Sequence, residues 1–205
     1  TVALRNNMRI RDAKELMAAY DAINVGGKAG EFEVADMARH LPSGLAGMAN
    51  LGEQGISGVR NTVAMLQAIR RGTGTSAEAM TQFEAMLNEF TSPTFIRNAG
   101  KLGINVEKTM KDAHDNGLSP VFAVLNEIEK KTRGDKFKLG KLIPNTTSAA
   151  AIRSILRDIP FVLELLKEME RAGGSTMKDY KTATDNAREA WNRFSSSIIE
   201  RSKEI

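Results

Sequence analysis

The sequence predicts an all-α fold, a multi-helix bundle with short Gly/Pro connections and a long C-terminal helix. Three observations predict it. Ala, Leu, Met, Glu, Lys and Arg dominate a chain that is 41% hydrophobic and 26% charged, while aromatics are only 5%, and these abundant residues are the helix formers. Apolar residues recur at spacings of three and four through most of the chain. No alternating pattern long enough for a β-strand occurs anywhere.

The elements follow in order. From about Asn6 to Asn24, the residues Met8, Ala13, Leu16, Met17, Tyr20 and Ile23 recur at helical spacing, and Gly26, Gly27 and Gly30 end the helix. A short helix from Val34 to Leu41 stops at Pro42. A second, Gly-punctuated segment carries Leu45, Met48 and Leu51 on one face and closes at Gly52 and Gly55. Ser57 caps the next helix, with Val59, Val63, Met65, Leu66 and Ile69 inward. Thr75-Ser76-Ala77-Glu78 is a capping box ahead of Met80, Phe83, Met86, Leu87 and Phe90. Pro93 opens a further helix with Phe95, Ile96 and Ala99 before Gly100. The stretch after Leu102 has two readings: Ile104 and Val106 open a short extended piece, or Asn105 caps a helix.

Pro120 starts a helix with Val121, Val124, Leu125 and Ile128 inward and two lysines at its end, where cations favour the helix dipole. Residues 134–147 read as a basic connection with an apolar element (Phe137, Leu139, Leu142, Ile143). Asn145 to Leu156 and Pro160 to Arg171 read as two more helices. Gly173-Gly174 then divides the chain into a helical region, 1–172, and a long terminal helix, 173–205. In that last helix Met177, Tyr180, Ala183, Ala187, Trp191, Phe194 and Ile198 form a narrow apolar stripe, the pattern of a pairing seam within or between chains.

Composition excludes several chemistries. There is no cysteine, so no disulfide framework, thiolate metal site or Cys nucleophile exists. No apolar run reaches the ~18 residues of a membrane span. The net charge is +4 and unevenly placed. Lys130, Lys131, Arg133, Lys136, Lys138 and Lys141 face the single acid Asp135 between them, and this stretch is a candidate basic contact segment for acidic proteins or DNA phosphates.

The candidate motifs dissolve on inspection. Gly72-Thr73-Gly74-Thr75-Ser76-Ala77 has the G-x-G-x-x-A spacing of a dinucleotide-binding turn, but a helix precedes it where a strand is required. The reading is a turn between two helices. "GDKFKLGK" from Gly134 has five residues between its glycines and Leu142 where a phosphate loop needs Ser or Thr. Asp112, His114, Asn116 and Gly117 fall at calcium-loop positions, but the twelfth position is Ala123. His40 is read as sitting at a helix C-terminus, where positive charge is favourable. Glu164 and Glu168 share one solvated helix face. No nucleophile, base and oxyanion site assemble. The sequence predicts no enzyme, cofactor, metal or small-molecule substrate.

The order of the segments carries the remaining signal. Asp36-Met37-Ala38-Arg39, Leu51-Gly52, Gly55-Ile56-Ser57-Gly58, Leu66-Gln67-Ala68, Ser92-Pro93, Asn98-Ala99 and Leu102-Gly103-Ile104 follow one another as in the shared globular region of tailed-phage tape measure proteins. The turn Asp115 to Pro120 and the segment Val124-Leu125-Asn126-Glu127-Ile128 continue the series. From about Asp21 to Ala172 the chain resembles that family. The resemblance implies a structural virion component, part of a helical protein that templates tail tube length and is released during genome ejection. It implies homo-oligomers, a trimer among them, and contacts with tail tube, tail tip or baseplate proteins, a tail assembly chaperone and the host envelope. It places the protein in the tail lumen, after assembly in the host cytoplasm. Two other readings compete: a helical scaffold or adaptor that binds acidic proteins or DNA through the basic segment, and a cell-wall-degrading domain, which lacks zinc ligands and a catalytic carboxylate setting here.

Overall fold

The computed structural model describes residues 2–179 and residue 181. Among these residues there are helices and turns and no strand. The elements are α1 (Val2–Asn6), α2 (Ala13–Lys28), α3 (Val34–Asn50), α4 (Gly55–Arg70), α5 (Ser76–Glu89), α6 (Pro93–Lys101), α7 (Val106–Asp115), α8 (Pro120–Thr132), α9 (Lys136–Leu142), α10 (Thr146–Arg157) and α11 (Ile159–Glu170). Residues 175–179 are again helical.

Helix α4 is the centre. From Asn61 to Ile69 every residue is buried, the pattern of a helix surrounded by others. Helices α2, α3, α5, α10 and α11 pack around it. Val59, Val63, Met65, Leu66 and Ile69 lie in one core with Phe32, Met37, Leu45, Phe83 and Met86. The hairpin of α7 and α8 stands to one side, and α9 joins α8 to α6 and α10.

Several caps follow the sequence. Thr75 accepts from Glu78 N at 3.1 Å, and Glu78 returns a carboxylate to Gly74 N at 3.0 Å. Ser92, Asn105, Ser119, Asp135 and Asn145 cap α6 to α10 in turn. Asn105 thus decides the open stretch after Leu102 in favour of a helix. Helix α3 ends with Gly52 at φ +90 and Glu53 N donating back to Met48 O at 3.1 Å. A side chain would strain at that φ.

Five boundaries differ from the sequence reading. A short helix, α1, precedes the first predicted one, and α2 starts only at Ala13, where Asp12 accepts from Glu15 N at 2.7 Å. Helix α2 also runs on through Gly26 and Gly27. A Cβ on Gly26 would lie 2.2 Å from Val63 Cγ1, so glycine there serves the close crossing of α2 over α4. Helix α3 does not stop at Pro42; it continues to Asn50, joining the two predicted segments. The missing N–H and ring clash of an interior proline cost about 3 kcal/mol. Burying Met37, Leu41, Leu45 and Met48 on one face contributes about 1.5–3 kcal/mol each, so packing wins. Helix α4 begins at Gly55 with Gln54 as its cap; Ser57 instead donates to Gln54 O at 3.2 Å. Residues 136–142, read as a basic connection, are helical, because Asp135 caps them and Leu139 and Leu142 bury. His40 consequently lies inside α3 rather than at a helix end, its ring edge-on to Phe32 with centroids 6.2 Å apart.

Candidate functional site

Three polar sites stand out against the apolar core. The first is Gln67, in the middle of α4 and fully buried. Its Nε2 donates to Gly26 O at 2.7 Å and Phe32 O at 2.8 Å, and its Oε1 accepts from Phe32 N at 3.0 Å. One side chain therefore closes the end of α2 and the loop into α3. The second is Glu53, 3% exposed. It accepts from Ser119 Oγ, from Asn61 Nδ2 at 3.0 Å and from Val121 N at 3.4 Å. Burial pushes its carboxyl above the ordinary range, against the pull of those hydrogen bonds and of nearby His114. It sits in a cavity of about 290 Å³ with Asn61, His114 and Ser119.

The hydrogen bonds of this cluster tie helix ends together. Ser119 Oγ gives its proton to Glu53 and accepts from Phe122 N at 3.1 Å, so its hydroxyl is committed to the cap of α8. His114 Nδ1 lies 3.2 Å from Gly52 O, directed at a carbonyl and not at Ser119. The carboxylate fixes the α7–α8 turn to the end of α3.

The third site is Asp21, inside α2 and 4% exposed. It caps a helix start 153 residues away in sequence: Oδ2 accepts from Gly174 N at 2.7 Å, and Oδ1 from Thr176 N at 2.8 Å and Ser175 Oγ at 3.3 Å. Burial alone would raise this carboxyl; the bonds from Thr176, Gly174 and Ser175 outweigh it and hold the carboxyl below its ordinary value. Asp179 then meets Asn24 and Lys28 farther along α2. Periodicity misses all three sites, because each pairs residues tens of positions apart and sits amid unremarkable helix or turn sequence. Pro120, which marks a helix start, is the one local hint, since Ser119 before it caps α8.

The sequence-derived candidates are placed as follows. Lys130 and Lys131 lie in the last turn of α8, and Arg133 follows in a left-handed conformation, φ 50 and ψ 43. Lys136, Lys138 and Lys141 project from α9, whose Leu139 and Leu142 face inward. All six cations are exposed. Asp135 accepts from Phe137 N at 2.8 Å and Lys138 N at 3.1 Å, and these bonds hold its carboxyl below the ordinary value. Asn98 of α6 donates to Lys141 O at 3.1 Å and Leu142 O at 3.3 Å, closing the end of α9. Of the pairing seam, Met177 is exposed; Tyr180, Ala183, Ala187, Trp191, Phe194 and Ile198 lie outside the described residues, as does most of the predicted terminal helix. The Gly72-to-Ala77 turn joins α4 to α5, and a Cβ on Gly72 would meet Ser154 Oγ at 2.5 Å. Among the described residues no group of three acids or histidines is placed to hold a metal ion. None of the described helices is long and apolar enough to cross a membrane.

Comparison with known proteins gives a family. Residues 1–156 match the family described as phage-related minor tail protein. A protein of Burkholderia phage BcepMu named "Probable tape measure protein" is 31% identical over 130 residues, which is 62% of this chain and 15% of that protein. The chain thus spans a small part of the relative's length. No solved structure matches. Covering well over half of the chain, the match establishes that this chain belongs to the phage-related minor tail protein family.

Proposed function

We propose that this chain is a packed helical segment of a tail tape measure protein, which templates tail tube length and leaves the virion ahead of the genome. The family match over residues 1–156 carries this reading. The polar chemistry agrees with it: Glu53, Ser119, Gln67 and Asp21 are all engaged in capping and bridging, which suits a structural, non-enzymatic part. Its partners would be further copies of itself, tube and tip or baseplate proteins, an assembly chaperone and, at ejection, the host envelope. It would assemble in the host cytoplasm and reside in the tail lumen. Mass spectrometry of purified virions before and after triggered ejection tests this. The peptides are expected in full particles and depleted from emptied ones. Absence from full particles, or turnover of cell-wall substrate by the purified chain, would overturn it.

The stripe Met177, Tyr180, Ala183, Ala187, Trp191, Phe194 and Ile198 is the proposed pairing seam between copies. Light scattering on a size-exclusion column reads it. The intact chain should form an oligomer of fixed stoichiometry, and Trp191→Asp should lower its mass. An oligomer unchanged by Trp191→Asp rules the seam out.

A further inference from the structure

We propose that the face built by α6, the end of α8 and α9 docks an acidic amphipathic segment of a partner protein, a stretch with apolar side chains set between carboxylates. Sequence brings six of the cations together; the fold adds Lys101, at the end of α6, because Asn98 ties α6 to the end of α9. Lys131 Nζ in turn lies beside the α6–α7 turn, 3.5 Å from where a Cβ on Gly103 would stand.

These cations are left largely unneutralised. Lys130 pairs with Glu127 at 2.8 Å. Among the described residues, Lys101, Lys131, Arg133, Lys136, Lys138 and Lys141 have no carboxylate within 4.0 Å. Asp135, the acid nearest in sequence, gives its oxygen to the backbone of α9 and attracts Lys138 and Lys141 only from beyond ion-pair distance. Helix ends explain part of the pattern, since a C-terminus attracts cations through about half a negative charge. Three such ends (α6, α8, α9) fall well short of seven cations.

The shape selects the partner. Between α6 and α9 lies a groove of about 370 Å³, with Leu102 and Leu142 as its floor and Lys101, Lys138 and Lys141 at its rim. Beyond it Phe137 is 72% exposed, with Lys136 Nζ 5.3 Å from its ring centroid. An apolar floor flanked by three ammonium groups complements apolar side chains set between carboxylates. A DNA duplex would engage the lysines through its phosphates, but its backbone offers nothing to a leucine floor.

Fluorescence anisotropy with the intact chain tests the proposal. The probes are a labelled 14-residue peptide alternating Glu pairs with Leu, the same peptide with Ser for Leu, a 20-base-pair duplex and a 20-nucleotide single strand. The Glu/Leu peptide should bind saturably and tightest. Its binding should weaken about tenfold or more in Lys138→Glu/Lys141→Glu, in Lys101→Glu and when Ser replaces Leu, and also at high salt. Lys14→Glu, at an exposed position of α2, should bind as the intact chain does. Circular dichroism confirms that each variant is folded; Lys101→Glu leaves α9 unaltered and decides the matter if the double variant unfolds. No saturable peptide binding, equal loss with Lys14→Glu, indifference to the Ser replacement, or tighter binding of either nucleic acid would overturn the proposal.

Discussion

Replacing Gln67 by Leu tests whether the bundle depends on one buried amide. Leu is similar in size and keeps helix propensity, so the change removes hydrogen bonds with little change in volume. Three backbone groups lose their partner: Gly26 O, Phe32 O and Phe32 N. Gly26 O lies in the last turn of α2, where carbonyls have no helical partner. Leaving a buried polar group unmatched costs about 1–3 kcal/mol. Three such groups, less some gain from burying Leu, give a loss of about 3–5 kcal/mol. For a chain of this size that lowers Tm by about 6–20 °C, at 2–4 °C per kcal/mol. Urea unfolding followed by far-UV circular dichroism measures it, with an unchanged m-value expected if the folded state keeps its compactness. A loss under about 1 kcal/mol would refute the reasoning, because water or a shifted backbone would then be replacing the amide.

Further outcomes follow from the same packing. Pro42→Ala should stabilise the chain, by up to about 3 kcal/mol, since it restores a helical N–H at an exposed interior site of α3; lowered stability in thermal melts would mean the ring packs where the helix does not show it. Gly26→Ala should destabilise, by about 1–3 kcal/mol from overpacking against Val63, and Gly26→Ala/Val63→Ala should recover part of it in urea titration. The two buried carboxylates should impose opposite pH slopes. Glu53 holds its proton more tightly folded than unfolded, so stability falls as pH rises from its ordinary 4.5 through the raised value; Glu53→Gln should flatten that limb. Asp21 releases its proton more readily when folded, so its contribution is full above its ordinary 3.8 and is lost as pH falls through the lowered value; Asp21→Asn should remove that loss. Thermal melts across pH 3–7 separate the two.

The sequence shows most of what local physics decides. Thr75 with Glu78, Pro93 and Pro120 each mark a helix start, because capping involves residues three or four apart. It misleads where tertiary packing overrides a local rule: Pro42 reads as a stop, yet four buried side chains carry α3 past it. Gly26 reads as a terminator, yet it is the crossing point of α2 and α4. The cations of the α8–α9 segment are visible in sequence, while Lys101 joins them only through the contact of α6 with α9. Glu53 with Ser119 and Asp21 with Thr176 are invisible, since nothing local pairs residues 66 or 155 positions apart.

The tail-length claim is tested most directly by an in-frame duplication of residues 1–205 in the virion that carries this chain, with tail lengths measured by electron microscopy. A packed globule of this size is about 40 Å across. The same chain as one continuous helix would extend about 300 Å, at 1.5 Å per residue. The account predicts uniformly longer tails, with an increment between those two values set by how far the helices stay packed. Tails of unchanged length on particles that contain the duplicated protein would contradict it.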